Sequence, residues 1–347
     1  MTKKVALLGG SFDPIHNGHI AMAKAAIDQL EVDEVWFVLA HQAPLKEFKP
    51  TSDEHRLAML QLVCKQHQQF KVCDLELHRQ GTSYTIDTLR DLHQQYPDYQ
   101  WFWILGADQQ AQFEQWKDWQ ELLKLATFVV VDRNDHLKKD GVRKQFVMVA
   151  MHPVDVSSTQ VRQGKRLNLI PKEVRQYIVD HELYLEDWVS AQMNPRRFAH
   201  SKSVAKVCMD LAKAHHLDVH KAYLTGLFHD IAKDLPKKEA EKWIQDCFPQ
   251  YMEEPKAIWH GYIGSEVVRR LYGIEDEQIR NAIYHHVKGL SDEPYAMMVF
   301  IADKIDPLRG YDSSALYQAS MSDLAFGFQK VKEENAAYLK KQNIQGV

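Results

Sequence analysis

The feature that most constrains this chain is a change of hydrophobic period near residue 196. Before it, short β-branched or aromatic runs alternate with segments whose apolar residues recur at helical spacing. The runs are VALLG, EVWFVLA, FKVCDLEL, WFWILGAD, TFVVVDR and FVMVAM. The helical segments between them are Gly18–Leu30, Asp53–Gln66, Thr85–Gln95 and Ala111–Leu125. Such alternation predicts an α/β fold, a parallel sheet covered by helices on both faces. From Arg196 onward, beginning with RRFAHSKSVAKVCMDLAKAHH, strand signals stop and long helical patterns remain, which predicts an all-α second domain. The stretch EDWVSAQMNP, Glu186 to Pro195, joins a helix end to small polar residues and a proline. Domains are therefore expected at 1–188 and 195–347. A chain of 347 residues is long enough for two cores.

Composition narrows the function. Residues 1–188 carry 22 Lys and Arg against 26 Asp and Glu, and the remainder carries 21 of each. Neither half has the basic excess of a nucleic-acid groove, so no nucleic-acid partner is expected. The four cysteines, Cys64, Cys73, Cys208 and Cys247, form no CxxC pair and read as reduced thiols. The apolar run of MTKKVALLGG ends at Leu8, short of a secretory h-region, and no stretch approaches the roughly 20 apolar residues of a membrane helix. A cytoplasmic protein without a membrane partner is expected. The tail from Ser313 reads as helices without catalytic features, fit either to pack on the helical core or to make a homo-oligomer.

The first chemical signal is GGSFDPIHNGH, Gly9 to His19, between a strand and a helix starting near Gly18. A loop there lies at the carboxyl edge of the sheet, where open α/β folds bind ligands. Gly9 and Gly10 let a phosphate approach the backbone, and the helix start offers unpaired N–H groups and the positive end of its dipole. His16 and His19, three apart, can face the same phosphate. Neither GxxxxGK[ST] nor GxGxxG is present. Further on, VSSTQVRQGKR sets Ser157, Ser158 and Thr159 just before a helix, with Arg162 on its first turn. By itself that is an N-cap pattern; beside the first loop it predicts a second phosphate cradle.

The loop resembles the signature of the HxGH nucleotidyltransferases, a Rossmann-like superfamily. There the histidines stabilise charge on the α-phosphate of ATP while a second phosphate attacks it and pyrophosphate leaves. GTSYTIDTLRDL, WILGADQQAQFEQWKDW, VVVDR and IPKEVRQYIVDHELY resemble bacterial nicotinate-nucleotide adenylyltransferase, along nearly all of residues 1–188. The resemblance implies ATP, with Mg2+, and nicotinate mononucleotide as substrates. It puts Ser11 and Phe12 in the binding loop, and Ser83, Tyr84, Thr85 and Trp116 around the nicotinate nucleotide, Trp116 stacking on the ring. Gly106, Asp108 and Arg133 are further binding residues, Asp108 on the adenosine side, and Lys46 meets the triphosphate. Where the family commonly has Pro-Pro-His-Lys, this chain has APLKEF, with Leu45 in the place of the histidine. Nicotinamide mononucleotide and pantetheine phosphate are the alternative acceptors.

The second signal is an ordered set of imidazoles and carboxylates inside apolar helical patterns: His200, His229 with Asp230, His260, His285 with His286, and Asp303. Such groups are costly to bury unless paired or metal-bound, so they point to one cluster. The set resembles HD-domain metal-dependent phosphohydrolases, in the branch that includes symmetrical diadenosine tetraphosphate (Ap4A) hydrolases. The resemblance implies two metal ions, iron or manganese by the mixed donor set. His200, His229, Asp230 and Asp303 would hold one; His260, His286 and a bridging Asp230 would hold the other, with Lys233 neutralising substrate phosphate. The expected reaction converts Ap4A to two ADP. Alternatives are another nucleotide substrate or a nucleotide-sensing module. Ap4A is also a by-product expected when ATP replaces the normal acceptor of an adenylyltransferase, which gives a fused hydrolase something to remove. His215, His216 and His220, in polar stretches, read as solvated surface.

Overall fold

In this computed structural model, residues 2–42, 50–79, 81–132 and 145–342 are described. All six apolar runs form strands: β1 (Lys4–Gly10), β2 (Glu34–Leu39), β3 (Phe70–Cys73), β4 (Gln100–Gly106), β5 (Thr127–Asp132) and β6 (Val147–Ala150). They make one parallel sheet in the order β3-β2-β1-β4-β5-β6. Val5, Ala6, Leu7, Val129 and Val130 are fully buried, as expected of central strands covered on both faces. Between β1 and β4 the strand order reverses, so the carboxyl ends of those strands, Gly9–Gly10 and Gly106, open on the ligand-binding crevice of this topology.

The helices α1 (Asn17–Leu30), α2 (Asp53–Lys65) and α3 (Thr85–Gln95) follow the sequence pattern closely. The segment expected as one helix over Ala111–Leu125 does not. It divides into α4 (Ala107–Ala111), a 3-10 turn at Phe113–Gln115 and α5 (Trp119–Leu125). Phe113 is buried against Phe128 and Phe146, with ring centroids at 4.7 and 5.2 Å, while Trp116 is extended and Asp118 left-handed at φ 52°. The aromatic anchor and the left-handed residue end the helical path just before Trp119.

The second compact unit is helical: α9 (Pro195–Ala214), α10 (Val219–Phe228), α11 (Lys237–Cys247), α12 (Trp259–Val267), α13 (Glu277–His285), α14 (Pro294–Ile305), α15 (Ser314–Ser322) and α16 (Leu324–Lys341). Helix α14 is buried along its length and central to the core, and the tail packs on that core through Leu316, Leu324, Phe328 and Val331. A Cβ on Gly226 of α10 would lie 2.4 Å from Ala205 Cα of α9, so glycine sets the spacing of those two helices. His215 corrects the reading of it as surface: Nε2 lies 2.7 Å from the Ser320 carbonyl, and the residue is half-buried.

The compact units change between Tyr177 and Ile178, inside α7 (Lys172–Asp180), with Gln163–Lys165 also in the second unit. The sequence pattern placed the end of the first domain at residue 188. The difference is α8 (Leu185–Ser190), whose fully buried Trp188 packs against Tyr272 of the helical unit at 6.0 Å. Among the described residues, no helix is long and apolar enough to cross a membrane.

Candidate active sites

In the first unit, β1 delivers Gly9 and Gly10 directly into the histidine loop. A Cβ on Gly9 would approach the Trp103 ring to 2.9 Å, so the strand end tolerates no side chain there. Phe12 adopts φ 45° and buries its ring edge-on to His19 and Phe37, at 5.0 and 5.6 Å. His16 caps α1, stacks on His19 at 3.8 Å and donates its backbone N–H to His19 Nδ1 at 3.3 Å. With Nδ1 accepting, neutral His19 carries its proton on Nε2, a donor.

One cavity brings together Gly9, Gly10, Ser11, Ser83, Tyr84, Thr85 and Trp116. Ser83 is pinned at its mouth: its N–H donates to the Gln42 carbonyl at 2.9 Å, and its hydroxyl accepts from His41 N at 3.2 Å. The same cavity is lined by Glu76 and Lys117, which no sequence motif had singled out. Glu76 is buried and accepts from the Thr88 hydroxyl at 2.6 Å; burial raises its pKa against the hydrogen bonds of Thr88 and Ser83. Lys117 lies 4.7 Å from the Tyr84 ring centre and 3.2 Å from Asp87.

Ser157 corrects part of the second motif. It caps a short helix, α6 (Ser158–Arg162), by exchanging hydrogen bonds with Gln160, so Ser158 and Thr159 lie inside the helix and not before it. The Ser158 hydroxyl donates to the Pro14 carbonyl at 2.9 Å, and Arg162 donates to the Asp13 carbonyl at 2.5 Å and contacts Thr159 at 3.3 Å. The motif is thus joined to the histidine loop. Lys46, Leu45 and Arg133 lie outside the described residues, as does the side chain of Asp108; the backbones of Gly106 and Asp108 stand at the start of α4.

Arg56 is a further residue of this site. It is fully buried on α2 and donates to the carbonyls of Ser11 and Ala40 at 2.8 Å each and of Thr51 at 2.9 Å, with Asp53 as its ion partner. It ties the glycine loop to the end of β2. The available signal was a cation sharing a helix face with Met59, Leu60 and Val63, all buried.

In the second unit, His200, His229, Asp230, His260, His286 and Asp303 converge. Two groups have ligating atoms near one another: His200, His229 and Asp303, and His229, Asp230 and His286. His260 Nε2 stands 3.1 Å from Asp230 Oδ1 and 3.2 Å from His286 Nε2. Lys233 Nζ lies 3.2 Å from the His260 ring nitrogens. The sequence placed the ligands within helices; His229 and His286 instead follow the last turns of α10 and α13. There Nδ1 of each bonds a terminal carbonyl, Gly226 at 2.8 Å and Ile283 at 2.7 Å.

This geometry fits metal ions. The carbonyl bonds put the proton of both imidazoles on Nδ1, leaving Nε2 as an electron-pair donor. His229 Nε2 is buried without a hydrogen-bond partner, an orphan that a cation would satisfy. Burial drives His229 and His260 down to about 4, so both stay neutral. Burial opposes ionisation of Asp230, but the charge of His229 when that ring is protonated, together with a hydrogen bond from His260, outweighs it and holds the carboxyl well below the usual range. His200 is pushed up to about 9; burial opposes the charge, but hydrogen bonds to Asp303 and Asp306 prevail.

Asp306 is the residue missed here. Fully buried, it accepts from His200 Nδ1 at 2.6 Å and the Ser203 hydroxyl at 2.5 Å, orienting His200 as a carboxylate commonly orients a ligating imidazole. Its position three residues after Asp303 was the only hint.

Comparison with known proteins agrees with both halves. The cytidylyltransferase-like family matches residues 7–164, and the HD domain matches residues 197–308. Fold and site define a nucleotidyltransferase joined to an HD domain. A Mycoplasma genitalium protein named "Probable nicotinate-nucleotide adenylyltransferase/Ap4A hydrolase" is 30% identical over 312 residues, 89% of either chain. A Halalkalibacterium halodurans protein named "Probable nicotinate-nucleotide adenylyltransferase" is 40% identical over 52% of this chain and 91% of its own. A Plasmodium falciparum nicotinic acid mononucleotide adenylyltransferase solved with NaAD aligns at a TM-score of 0.46 and 22% identity, over 52% of this chain and 97% of its own. The chain belongs to the nicotinate-nucleotide adenylyltransferase family, in the form that carries an HD domain.

Proposed function

We propose that the first unit transfers AMP from ATP to nicotinate mononucleotide. The acceptor's 5′-phosphate oxygen forms a bond to the α-phosphorus, the bond to the β,γ-diphosphate breaks, and deamido-NAD and pyrophosphate leave. His16 and His19 would donate to the α-phosphate oxygens as charge builds on them, and Gly9, Gly10, Ser11 and Phe12 would bring backbone close to the phosphates. Ser83, Tyr84, Thr85 and Trp116 would hold the acceptor, and Gly106 and Asp108 the adenosine side. Lys46, Arg133, Ser157, Ser158, Thr159 and Arg162 would complete the phosphate and nucleotide contacts, and Mg2+ would accompany ATP. The observation that carries this reading is one cavity that unites the glycine turn with the SYT segment and Trp116, the same turn leading in sequence to the stacked histidine pair. The test compares nicotinate mononucleotide, nicotinamide mononucleotide and pantetheine phosphate as acceptors. The nicotinate compound should be used best, and His16→Ala and His19→Ala should each remove turnover; rates within a few-fold of wild type would refute the assignment.

We further propose that the HD unit hydrolyses Ap4A to two ADP, water adding to one of the central phosphorus atoms as the bond between the central phosphates breaks. His200, His229, Asp230, His260, His286 and Asp303 would hold two ions, iron or manganese, which supply an activated water and charge neutralisation. Lys233 would counter substrate phosphate. The orphaned His229 Nε2 within this cluster carries the reading. Product analysis with Ap4A plus iron or manganese, beside Asp230→Ala, tests it: two ADP lost in the variant supports it, and AMP plus ATP or no turnover overturns it. All four cysteines are free thiols, which supports a reducing, cytoplasmic setting.

A further inference from the structure

Of the described residues that line the acceptor cavity of the first unit, two carry charged side chains, Glu76 and Lys117. Glu76 is buried, accepts from the Thr88 hydroxyl at 2.6 Å, and holds no positive charge in either protonation state. Lys117 therefore supplies the positive charge of that lining. It directly follows Trp116 in the chain. Its ammonium stands 4.7 Å from the centre of the Tyr84 ring and 3.2 Å from Asp87 Oδ2. Tyr84 immediately precedes α3 and Asp87 lies in its first turn, so the ammonium is set over the SYT segment.

The pairing of Lys117 with Asp87 is easily exchanged. The two side chains are 44% and 37% exposed, and an ion pair so open to water is worth little. Asp87 also has a second cation, Arg90 Nη1 at 3.6 Å, and Arg90 Nη2 is held by Glu121 at 2.6 Å. The flexible four-carbon stem of Lys117 can turn to an anion in the cavity while Asp87 keeps Arg90 as its partner. Nicotinate and nicotinamide mononucleotide differ at one ring substituent, a carboxylate against a neutral amide. Both groups are planar and nearly equal in size, so shape separates them poorly. Charge separates them well.

Resting on the reading of this unit as a nicotinate mononucleotide adenylyltransferase, we propose that Lys117 is a specificity-determining residue, which turns from Asp87 to pair with the carboxylate on the acceptor's ring and so favours the acid over the amide. That carboxylate takes no part in the bonds made and broken at phosphorus. The contact acts equally on bound substrate and transition state, so its loss raises KM and leaves kcat near wild type. A purely structural role for Lys117 would weaken both mononucleotides alike.

The test titrates the full chain with nicotinate mononucleotide and with nicotinamide mononucleotide, for wild type, Lys117→Met and Lys117→Arg, and then measures adenylyl transfer to each acceptor. Lys117→Met keeps an unbranched apolar side chain and removes the charge. It should bind the nicotinate compound about fivefold more weakly and the nicotinamide compound within about twofold of wild type, with the same change in KM. Lys117→Arg should return the preference to within about twofold of wild type. Equal losses for the two compounds, or an unchanged preference in Lys117→Met, overturn the proposal. Wild type that shows the binding pattern without adenylyl transfer removes the transferase reading and leaves the role of Lys117. Wild type that transfers AMP to nicotinate mononucleotide, beside a Lys117→Met protein of unchanged preference, removes the role of Lys117 alone.

Discussion

Glu76 shows how one buried carboxyl carries a pH signature. Burial raises its pKa, outweighing hydrogen bonds from Thr88 and Ser83 and the nearby Arg79 charge. A carboxyl whose folded pKa is raised supports the fold while protonated, fully below its unfolded value of about 4.3, and that support is lost as pH rises through the folded value. Glu76→Gln should therefore lose stability relative to wild type at about pH 4 and recover relative to it by about pH 7. Denaturant unfolding at several pH values measures this, and a constant difference would argue against it. Asp306 gives the second residue-scale expectation. Asp306→Asn should weaken Mn2+ binding by about 10- to 100-fold through loss of His200 orientation, with the melting temperature of metal-free protein as the control for folding. Both residues were illegible in the sequence for one reason: they act through neighbours, Thr88 and His200, that only folding brings to them.

At the scale of elements, the sheet was readable throughout because each strand is an apolar run rich in β-branched or aromatic residues, buried in the central strands and largely exposed at β6, where Val149 alone is buried. The helix over Ala111–Leu125 was not, because its apolar spacing continues through Phe113, Trp116 and Trp119 while a left-handed Asp118 interrupts the backbone. Periodicity records which side chains are apolar and says nothing about a single residue's φ. The histidine loop was legible because strand, glycines and helix start are local; Arg56, which anchors that loop from α2, is 45 residues from Ser11. In the helical unit, the α9–α10 contact at Gly226 leaves no room for a side chain. Gly226→Ala should cost about 1–3 kcal/mol by overpacking and lower metal content as well, since α9 carries His200 and α10 leads into His229. Chemical unfolding together with metal analysis checks both effects.

At the scale of the molecule, two cores with separate sets of functional groups predict separable activities. His19→Ala should abolish adenylyl transfer and leave Ap4A hydrolysis within about twofold of wild type, and Asp230→Ala should do the converse. Paired assays on each variant measure it, and loss of both activities in a folded variant would contradict it. With ATP in excess over the acceptor, the Asp230→Ala protein should also accumulate any Ap4A that the first unit makes.

The position of α8 has a practical consequence for anyone cutting the gene. A fragment beginning at residue 195 matches the change of hydrophobic period, yet it deletes Trp188 and so uncovers Tyr272, which that indole covers in the intact chain. Such a fragment would enter solution with an apolar scar and tend to aggregate. One that starts ahead of Ile178 keeps its own plug.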